Sequence, residues 1–300
     1  MAETIAYTDE MVGAGHPTKA DTLNKLTLVE HDSDGIHKVK VRNKNVIING
    51  GFTLNQRVFV SAATLATTVF GHDRWKAGAS GGDYSFTQLN SNTVITIASG
   101  KTLIQVVEDK NVVGGTYTLS WEGTAQGRYA VDSDTPAGAY ADSPIAITGQ
   151  TAGTTMSVEF DDGTLSKVQL ESGTVETLFE YRHISEELAL CLRYYEKTYN
   201  LGTAVGSSTS DGSILETAIS TTILGGAPFK VTKRSAPTVT IYSKNGTINK
   251  VTYYTTGNDP AATFTPSITS VNGFLIITAD SAILGLDAGY HYHYIADSEL

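Results

Sequence analysis

Residues 175–200, VETLFEYRHISEELALCLRYYEKTYN, carry a long helical pattern. Ser185 is a favourable N-cap, and Glu186 and Glu187 place negative charge at the positive end of a helix dipole. Six side chains recur at three- and four-residue spacing and would share one helix face: Ile184, Leu188, Cys191, Leu192, Tyr195 and Tyr199. We therefore predict one connecting helix over residues 181–201, with β-strand patterns on both sides of it.

Short runs of alternating or β-branched residues precede this helix, and clusters rich in glycine, serine and aspartate separate the runs. The runs cover residues 94–98, 103–108, 117–121, 145–148, 155–160 and 165–170. Many short strands with regular turn signals and no alternating helices are typical of a β-sandwich or a β-barrel. We therefore predict a jelly-roll β-sandwich over residues 43–180.

A second, smaller β-sandwich is predicted over residues 202–300. A loop rich in glycine, serine and threonine opens it at residues 202–212. Strand patterns follow at residues 214–223, 229–232, 239–242, 250–255, 267–271, 274–279 and 290–295. The predicted fold class is therefore all-β, with a jelly-roll β-sandwich, one connecting α-helix and a smaller β-sandwich domain.

Residues 1–37 are polar and irregular, and we predict that residues 1–42 form an N-terminal attachment arm. Residues 20–28 have a short helical pattern, and residues 30–35 resemble the start of an EF-hand loop. The twelfth position of that loop is Val41 instead of the bidentate glutamate that calcium requires, so a plain turn is favoured.

The composition argues against several classes of function. The 300 residues have a formal net charge of −10, and 17% are charged, against a usual ~25%. Nucleic-acid binders usually carry a basic patch, and anionic membranes attract basic segments, so neither partner is expected. No apolar run approaches the ~20 residues of a membrane helix, so membrane insertion is not expected either. Cys191 is the single cysteine, which excludes an intrachain disulfide and favours folding in a reducing cytoplasm.

No catalytic signature stands in a suitable context, so we predict a non-enzymatic protein without a cofactor. Residues 78–82, GASGG, match the G-x-S-x-G elbow, which requires a strand before it and a helix after it. A polar run follows instead, and a flexible glycine-rich loop is favoured. Asp161 and Asp162 before Gly163 could ligate calcium, although a hairpin turn is the favoured interpretation.

Three aromatic residues near or within loops are candidates for binding a glycan: Trp75, Tyr84 and Tyr140. Aromatic rings have an apolar face, and with short polar neighbours they suit weak binding of neutral sugars. Trp121 is different, because it lies in phase with Tyr117 along an alternating strand and is therefore predicted to be a core residue.

His291 and His293 are candidate metal ligands. Side chains alternate along a strand with a period of two, so both imidazoles would lie on one face. If three chains met on an axis there, six nitrogens would converge, which suits an octahedral transition metal. The alternative is a terminal strand whose tyrosine and histidine side chains contact a neighbour.

Several motifs, in their order along the chain, resemble the jelly-roll domains of bacteriophage and prophage tail-fibre proteins. The first half contributes 15–18 (GHPT), 28–35, 46–52 (VIINGGF), 55–57 (NQR), 73–75 (DRW), 77–81 (AGASG) and 117–124 (YTLSWEGT). The second half contributes 168–173 (VQLESG), 179–182 (FEYR), 186–195 (EELALCLRYY) and 295–300 (IADSEL). No single motif is decisive, and the resemblance is thinnest in the C-terminal third.

The resemblance implies a virion protein of the tail appendage, usually a homotrimer, that is assembled in the host cytoplasm. Its N-terminal arm would attach to a tail or baseplate protein, and its jelly roll would contact a host-surface polysaccharide. The family offers no catalytic residues to carry over. Two alternatives stay open: a purely structural capsid or tail decoration or spike protein, and a glycan depolymerase. The lack of repeats at a fixed period counts against the depolymerase.

Overall fold

The computed structural model of the protein describes residues 44–89, 91–279, 284–286 and 288–300. The predicted attachment arm, with its helical pattern and calcium-like loop, lies outside the described residues. Asn43–Leu300 forms one compact unit, in which a large β-sandwich, a helix and a smaller β-sandwich follow one another.

Within the described residues, ten strands form the first sandwich. They are β1 (Lys76–Ala77), β2 (Tyr84–Phe86), β3 (Ile95–Ile97), β4 (Leu103–Val107), β5 (Gly115–Gly123), β6 (Gly127–Ala130), β7 (Ala137–Ala141), β8 (Ile145–Gln150), β9 (Met156–Phe160) and β10 (Gly163–Ser172). A 3₁₀ turn, Asp109–Asn111, lies between β4 and β5. Sheet I has the order β1-β4-β9-β6-β7, and sheet II has the order β2-β3-β10-β5-β8.

The strand pairing identifies the first sandwich as a jelly roll. β3 pairs with β10, β4 with β9, β5 with β8 and β6 with β7, all antiparallel. The segment from β3 to β6 therefore pairs antiparallel with the segment from β7 to β10, as the two arms of one long hairpin do. Because this hairpin is rolled, successive pairs fall alternately into sheet II and sheet I, which is the nested order of a jelly roll. The fold predicted from the sequence is confirmed.

The two sheets bury their inner faces against each other. Along β9, Met156, Val158 and Phe160 face the core and are fully buried. Each such side chain contributes about 1.5–3 kcal/mol by leaving water. Trp121 also lies in this core, and its indole N–H donates to the Ala125 carbonyl oxygen at 2.8 Å, which confirms the core position predicted for it.

The Asn-Gly-Gly turn at residues 49–51 holds the entry to the jelly roll in place. The Asn49 side chain accepts from the backbone N–H of Leu54 and donates to the Leu54 carbonyl oxygen. A Cβ at Gly50 would lie 2.1 Å from the Val168 carbonyl oxygen, so only glycine fits between this turn and β10. The turn signal in the sequence therefore reflects both a local loop and a tight tertiary contact.

Eight strands within the described residues form the second region. They are β11 (Tyr195–Lys197), β12 (Ile214–Thr217), β13 (Ile223–Pro228), β14 (Thr238–Tyr242), β15 (Thr252–Tyr253), β16 (Phe264–Ser267), β17 (Gly273–Thr278) and β18 (Gly289–Asp297). β11, β12, β14 and β15 all pair antiparallel with β18. A three-stranded sheet, β13-β17-β16, shares one hydrophobic core with them, so a smaller β-sandwich follows the helix, as predicted.

The helix, α1, spans Ile184–Leu192 and is shorter than the predicted helix over residues 181–201. Its N-cap is His183, whose side chain accepts from the backbone N–H of Ser185, so the cap lies two residues before the predicted one. Tyr195 lies in β11 instead of on the helix, because that segment satisfies its backbone by pairing with β18. Cys191 is fully buried, as its position on the apolar face indicated.

Helix α1 packs on the entry segment of the jelly roll. Ile48 and Leu54 share a small apolar cluster with Cys191 and Tyr194, and Leu188 packs against it. This placement gives the helix a structural role as the connector between the two sandwiches.

The strand predictions fail where the sequence signal is weak or misplaced. β6 and β7 have no counterpart among the predicted strands, because glycine and alanine make up most of them. Residues 229–232 were predicted as a strand and are not one, and of the strand predicted at 267–271 only Ser267, the end of β16, lies in a strand. The run at 214–223 is divided between β12 and β13.

Candidate functional site

Two of the three candidate aromatic residues are core residues. Trp75 is fully buried, its indole N–H donates to the Asn49 carbonyl oxygen at 3.0 Å, and its ring stacks on Phe52. Tyr84 is 1% exposed, and its hydroxyl accepts from the His72 backbone N–H at 2.8 Å. Neither ring can meet a ligand in this fold, which corrects the prediction that Trp75 and Tyr84 bind a glycan. Both were chosen for their closeness to loops, which does not show whether a side chain points inwards.

Tyr140 is the candidate that reaches the surface. It lies half-buried in β7, and the guanidinium carbon of Arg128 lies 4.6 Å from its ring centroid. Arg128 in turn donates from Nε to Glu159 Oε2 at 2.6 Å, and a terminal nitrogen of its guanidinium forms an ion pair with the same oxygen at 2.5 Å. A ring, a cation and a carboxylate are thus held together on the outer face of sheet I.

Strand register explains why these side chains meet. Lys76 in β1 lies opposite Ile104 in β4, Ile104 lies opposite Glu159 in β9, and Glu159 lies opposite Arg128 in β6. The neighbours of Glu159 along β9 face the core, so period-two alternation turns Glu159 outwards. With Tyr140 on the next strand, these five residues form a row across sheet I, which we call the Tyr140 row.

Charge and burial in the Tyr140 row fix the state of its groups. Glu159 is 3% exposed, and its hydrogen bond and ion pair with Arg128 offset the cost of burying its charge. Burial, and next the negative charge of Glu159, raises the pKa of Tyr140 to about 12, although Arg128 acts in the opposite direction. Tyr140 is therefore a neutral phenol at pH 7, able to donate and accept hydrogen bonds.

The glycine-rich segment at residues 78–82 supports this row instead of forming a nucleophile elbow. The segment forms a turn between the strands β1 and β2. Within this turn, the backbone N–H of Gly81 donates to the Gly78 carbonyl oxygen at 3.1 Å. A Cβ at Gly78 would lie 2.8 Å from Glu159 Oε1, so glycine leaves room for that carboxylate. The element that directly follows the motif is the strand β2, which agrees with the favoured interpretation of a loop.

Arg128 and Glu159 were not recognised from the sequence as site residues. Alternation along β9 indicates that Glu159 points outwards, but nothing local to the sequence shows that β6 lies beside β9. The partnership depends on pairing between segments about thirty residues apart, of which β6 has little strand propensity.

His291 and His293 lie on one face of β18, but the ring nitrogens of His293 are not available to a metal. His293 is fully buried; its Nε2–H donates to the Thr209 carbonyl oxygen at 3.0 Å, and Nδ1 accepts from Thr198 at 3.0 Å. Its ring also stacks on Tyr199 with centroids 3.9 Å apart. Both ring nitrogens of His293 are therefore hydrogen-bonded within the chain. This corrects the prediction that His291 and His293 bind a metal on an axis between three chains. The described part of the chain holds no group of three or more metal-ligating His, Cys, Asp or Glu side chains.

The structure joins three sequence motifs in a partly buried cluster between the two sandwiches. Arg57, from the NQR motif, lies 3.3 Å from both Asp297 and Glu299, and its guanidinium stacks on the Tyr195 ring at 3.8 Å. Arg74, from the DRW motif, is ion-paired with Glu299 as well. Asp73 lies 3.9 Å from Arg57. We call Arg57, Asp73, Arg74, Asp297 and Glu299 the junction cluster.

Comparisons with known proteins supply no family for this chain. No protein-family model matches it, and no curated protein matches it. Among solved structures, recombinant discoidin II of Dictyostelium discoideum matches with 12% identity over 85% of this chain and 93% of that chain, at a TM-score of 0.18. Wild-type discoidin II from the same organism matches with 12% identity over 85% and 91%, at a TM-score of 0.19. These scores carry no argument, so the fold assignment rests on strand order.

Among the described residues, no helix is long and apolar enough to cross a membrane.

Proposed function

We propose that this chain is a non-enzymatic virion protein, a phage tail-fibre or receptor-binding protein that contacts host-surface glycans through the Tyr140 row. The observation that carries the glycan part is the half-exposed Tyr140 ring, held beside Arg128 and the buried Glu159 on an outer sheet face. Sugars present apolar C–H faces and rings of hydroxyl groups. An aromatic ring beside a guanidinium and a carboxylate offers a partner for each.

Each member of the row has a distinct role in this proposal. Tyr140 packs its ring against the apolar face of a sugar, and its neutral hydroxyl exchanges hydrogen bonds with sugar hydroxyls. Glu159 holds Arg128 in place, so the guanidinium presents a fixed orientation and loses little entropy on binding. No step requires a cofactor or a metal.

The appendage part of the proposal draws its support from the motifs. The NQR and DRW motifs and the ADSEL segment at residues 296–300 lie far apart in the sequence, yet they build the junction cluster together. Motifs that resemble tail-fibre proteins thus have a common structural purpose, which is to connect the jelly roll to the second sandwich. In this proposal the chain forms a homotrimer in the virion, attached to the tail or baseplate through residues 1–42 and assembled in the host cytoplasm.

A glycan array and a host-cell adsorption assay test the proposal. We expect the full chain to bind a subset of glycans and Tyr140→Ala to lose at least tenfold in affinity. The matched control is Tyr254→Ala, which removes a 60% exposed tyrosine from the second sandwich and should bind as the wild type does. Equal loss in both variants, or no glycan binding at all, would contradict the role of the Tyr140 row.

A structural decoration or spike protein is the second candidate, and the burial of both tryptophans favours it. Trp75 is 0% and Trp121 is 7% exposed, so the two rings with the largest stacking surface are unavailable to sugars. Tight attachment to purified virions or tails, with no glycan and no cell bound, would establish this alternative.

A further inference from the structure

An uncharged row of hydroxyl groups crosses the outer face of sheet II, opposite the sheet that carries the Tyr140 row. Ser85 in β2 lies opposite Thr96 in β3, and Thr96 lies opposite Thr164 in β10. The Thr164 hydroxyl lies 3.2 Å from the Thr124 hydroxyl. We call Ser85, Thr96, Thr164 and Thr124 the hydroxyl row.

The hydroxyl row faces solvent because its strand neighbours face the core. Tyr84, Ile95, Ile97 and Leu165 are all buried in the jelly-roll core, so alternation turns the hydroxyl-bearing residues outwards. Neighbouring strands lie about 4.8 Å apart, which spaces the hydroxyl groups regularly across the sheet. That spacing is close to the length of one pyranose ring in an extended polysaccharide.

A shallow groove of about 460 Å³ lies at one end of the hydroxyl row. Leu89 and Val94, 51% and 49% exposed, add apolar surface beside the hydroxyl groups. None of the side chains that line the groove is ionisable: Ser61, Ser85, Phe86, Thr87, Leu89, Val94 and Thr96. The groove therefore offers hydrogen bonds and apolar contact without a charge.

A partly buried hydrogen-bond network lies beside the strands that carry the groove. His72 Nε2 bonds to the Gln88 amide oxygen at 2.9 Å, while Gln88 donates to the Phe52 carbonyl oxygen at 3.0 Å and to Thr93 at 3.1 Å. The other imidazole nitrogen accepts from the Tyr84 hydroxyl at 2.7 Å. Burial lowers the pKa of His72 to about 4, so the ring is neutral at pH 7.

The outer strand of the groove is fixed. The Phe86 backbone N–H donates to the Ser61 hydroxyl at 2.7 Å, and the Ala62 N–H donates to the Tyr84 carbonyl oxygen at 2.9 Å. These bonds cover the free edge of β2, which would otherwise invite pairing with another strand. A groove whose outer strand is held in place loses little entropy when it binds a ligand.

We propose that the hydroxyl row and its groove bind an uncharged polysaccharide laid across the strands of sheet II. Sugar hydroxyls would exchange hydrogen bonds with Ser85, Thr96 and Thr164, and an apolar ring face would rest on Leu89 and Val94. An acidic polymer finds no cation in the groove lining and would be repelled by a chain of net charge −10. This site is separate from the Tyr140 row, so neither proposal depends on the other.

Affinity electrophoresis of the full chain tests this site, with galactomannan, glucomannan and xyloglucan as neutral probes and alginate as the acidic one. We expect at least one neutral polymer to retard the wild type. Thr96→Lys should weaken that retardation at least tenfold, because it places a long charged side chain in the row. The matched control is Thr148→Lys, an exposed threonine on β8 at the far edge of the same sheet, which should stay within twofold of the wild type.

Two further variants separate the possible outcomes. Ser85→Lys repeats the test if thermal unfolding shows that Thr96→Lys does not fold, and Tyr140→Ala reports separately on the Tyr140 row. Retardation by none of the neutral polymers, retardation by alginate alone, or equal losses in Thr96→Lys and Thr148→Lys would each overturn the proposal. Loss of neutral binding in Tyr140→Ala alone would assign it to the Tyr140 row instead.

Discussion

The two sandwiches bury comparable side chains but distribute their strand pairing differently. In the jelly roll, the strand pairing is distributed over four nested pairs, so removing an edge strand such as β7 or β8 would break one pairing. In the second sandwich, β18 alone pairs with β11, β12, β14 and β15. Loss of one edge strand therefore removes little of the pairing in the jelly roll, whereas most of the pairing in the second sandwich's larger sheet depends on β18.

The side chains of β18 reinforce this dependence. Tyr290, Tyr292 and Tyr294 all point into the core of the second sandwich and are at most 2% exposed. Both tryptophans lie in the jelly roll, so tryptophan emission reports on the first sandwich, whereas far-ultraviolet circular dichroism reports on both. Unfolding followed by the two signals can therefore distinguish the sandwiches.

The largest effect is expected from Tyr294→Ala. The substitution leaves a large cavity and removes the hydrogen bond from the Tyr294 hydroxyl to Glu196 at 2.6 Å, so we expect the free energy of unfolding to fall by about 4 kcal/mol. The loss should appear first in circular dichroism, while tryptophan emission keeps a later transition. The matched control Tyr254→Ala, at an exposed position, should change stability by less than about 0.5 kcal/mol. If both signals shifted together in Tyr294→Ala, the sandwiches would be one cooperative unit.

Because the junction cluster lies between the two sandwiches, we expect it to influence how far they unfold together. Arg74→Met removes the partner of a buried charge at Glu299, and Arg74 also stacks on Tyr194 at 3.7 Å. Breaking one partner of a buried ion pair costs about 3 kcal/mol or more. Chemical denaturation followed by the two signals should show this loss together with a wider separation of the two transitions.

An exposed ion pair provides the control for that substitution. Lys167 lies 2.9 Å from Glu122, whose side chain is 64% exposed. Lys167→Met should therefore cost less than about 1 kcal/mol and leave the separation of the transitions unchanged. A similar cost for both substitutions would mean that the junction cluster contributes no more than a surface pair.

The sequence predicted the fold best where side chains alternate strongly. Residues 155–160 and 239–242 were predicted within a residue of β9 and β14, since apolar and β-branched side chains recur there with a period of two. β7, AGAYA, offers no such pattern and is a strand only because β6 lies beside it. Its identity is therefore a tertiary property that a local reading of the sequence misses.

The candidate sites show the same limit. Tyr140 and Trp75 were predicted on the same ground, as aromatic residues near or within loops. What separates them is long-range: Trp75 meets the Asn49 carbonyl oxygen and Phe52 in the core, whereas Tyr140 meets Arg128 on the surface. Helix α1 was overextended for a related reason, because pairing with β18 overrides the helical spacing of Tyr195.

The smallest effect, on the pH dependence of stability, compares one buried histidine from each sandwich. Burial lowers the pKa of His72 to about 4 and lowers that of His293 as well. As the pH falls, these histidines therefore take up protons in the unfolded chain before they do so in the folded one. The stability gained from keeping them neutral is complete above about pH 6.5 and is lost between pH 6.5 and 4. For His72 the loss at pH 5 is about 2 kcal/mol. His72→Gln should remove that part of the pH dependence from the tryptophan transition while leaving the contribution of His293 in the second sandwich. An unchanged slope between pH 7 and 5 in the variant would show that His72 is not the group responsible.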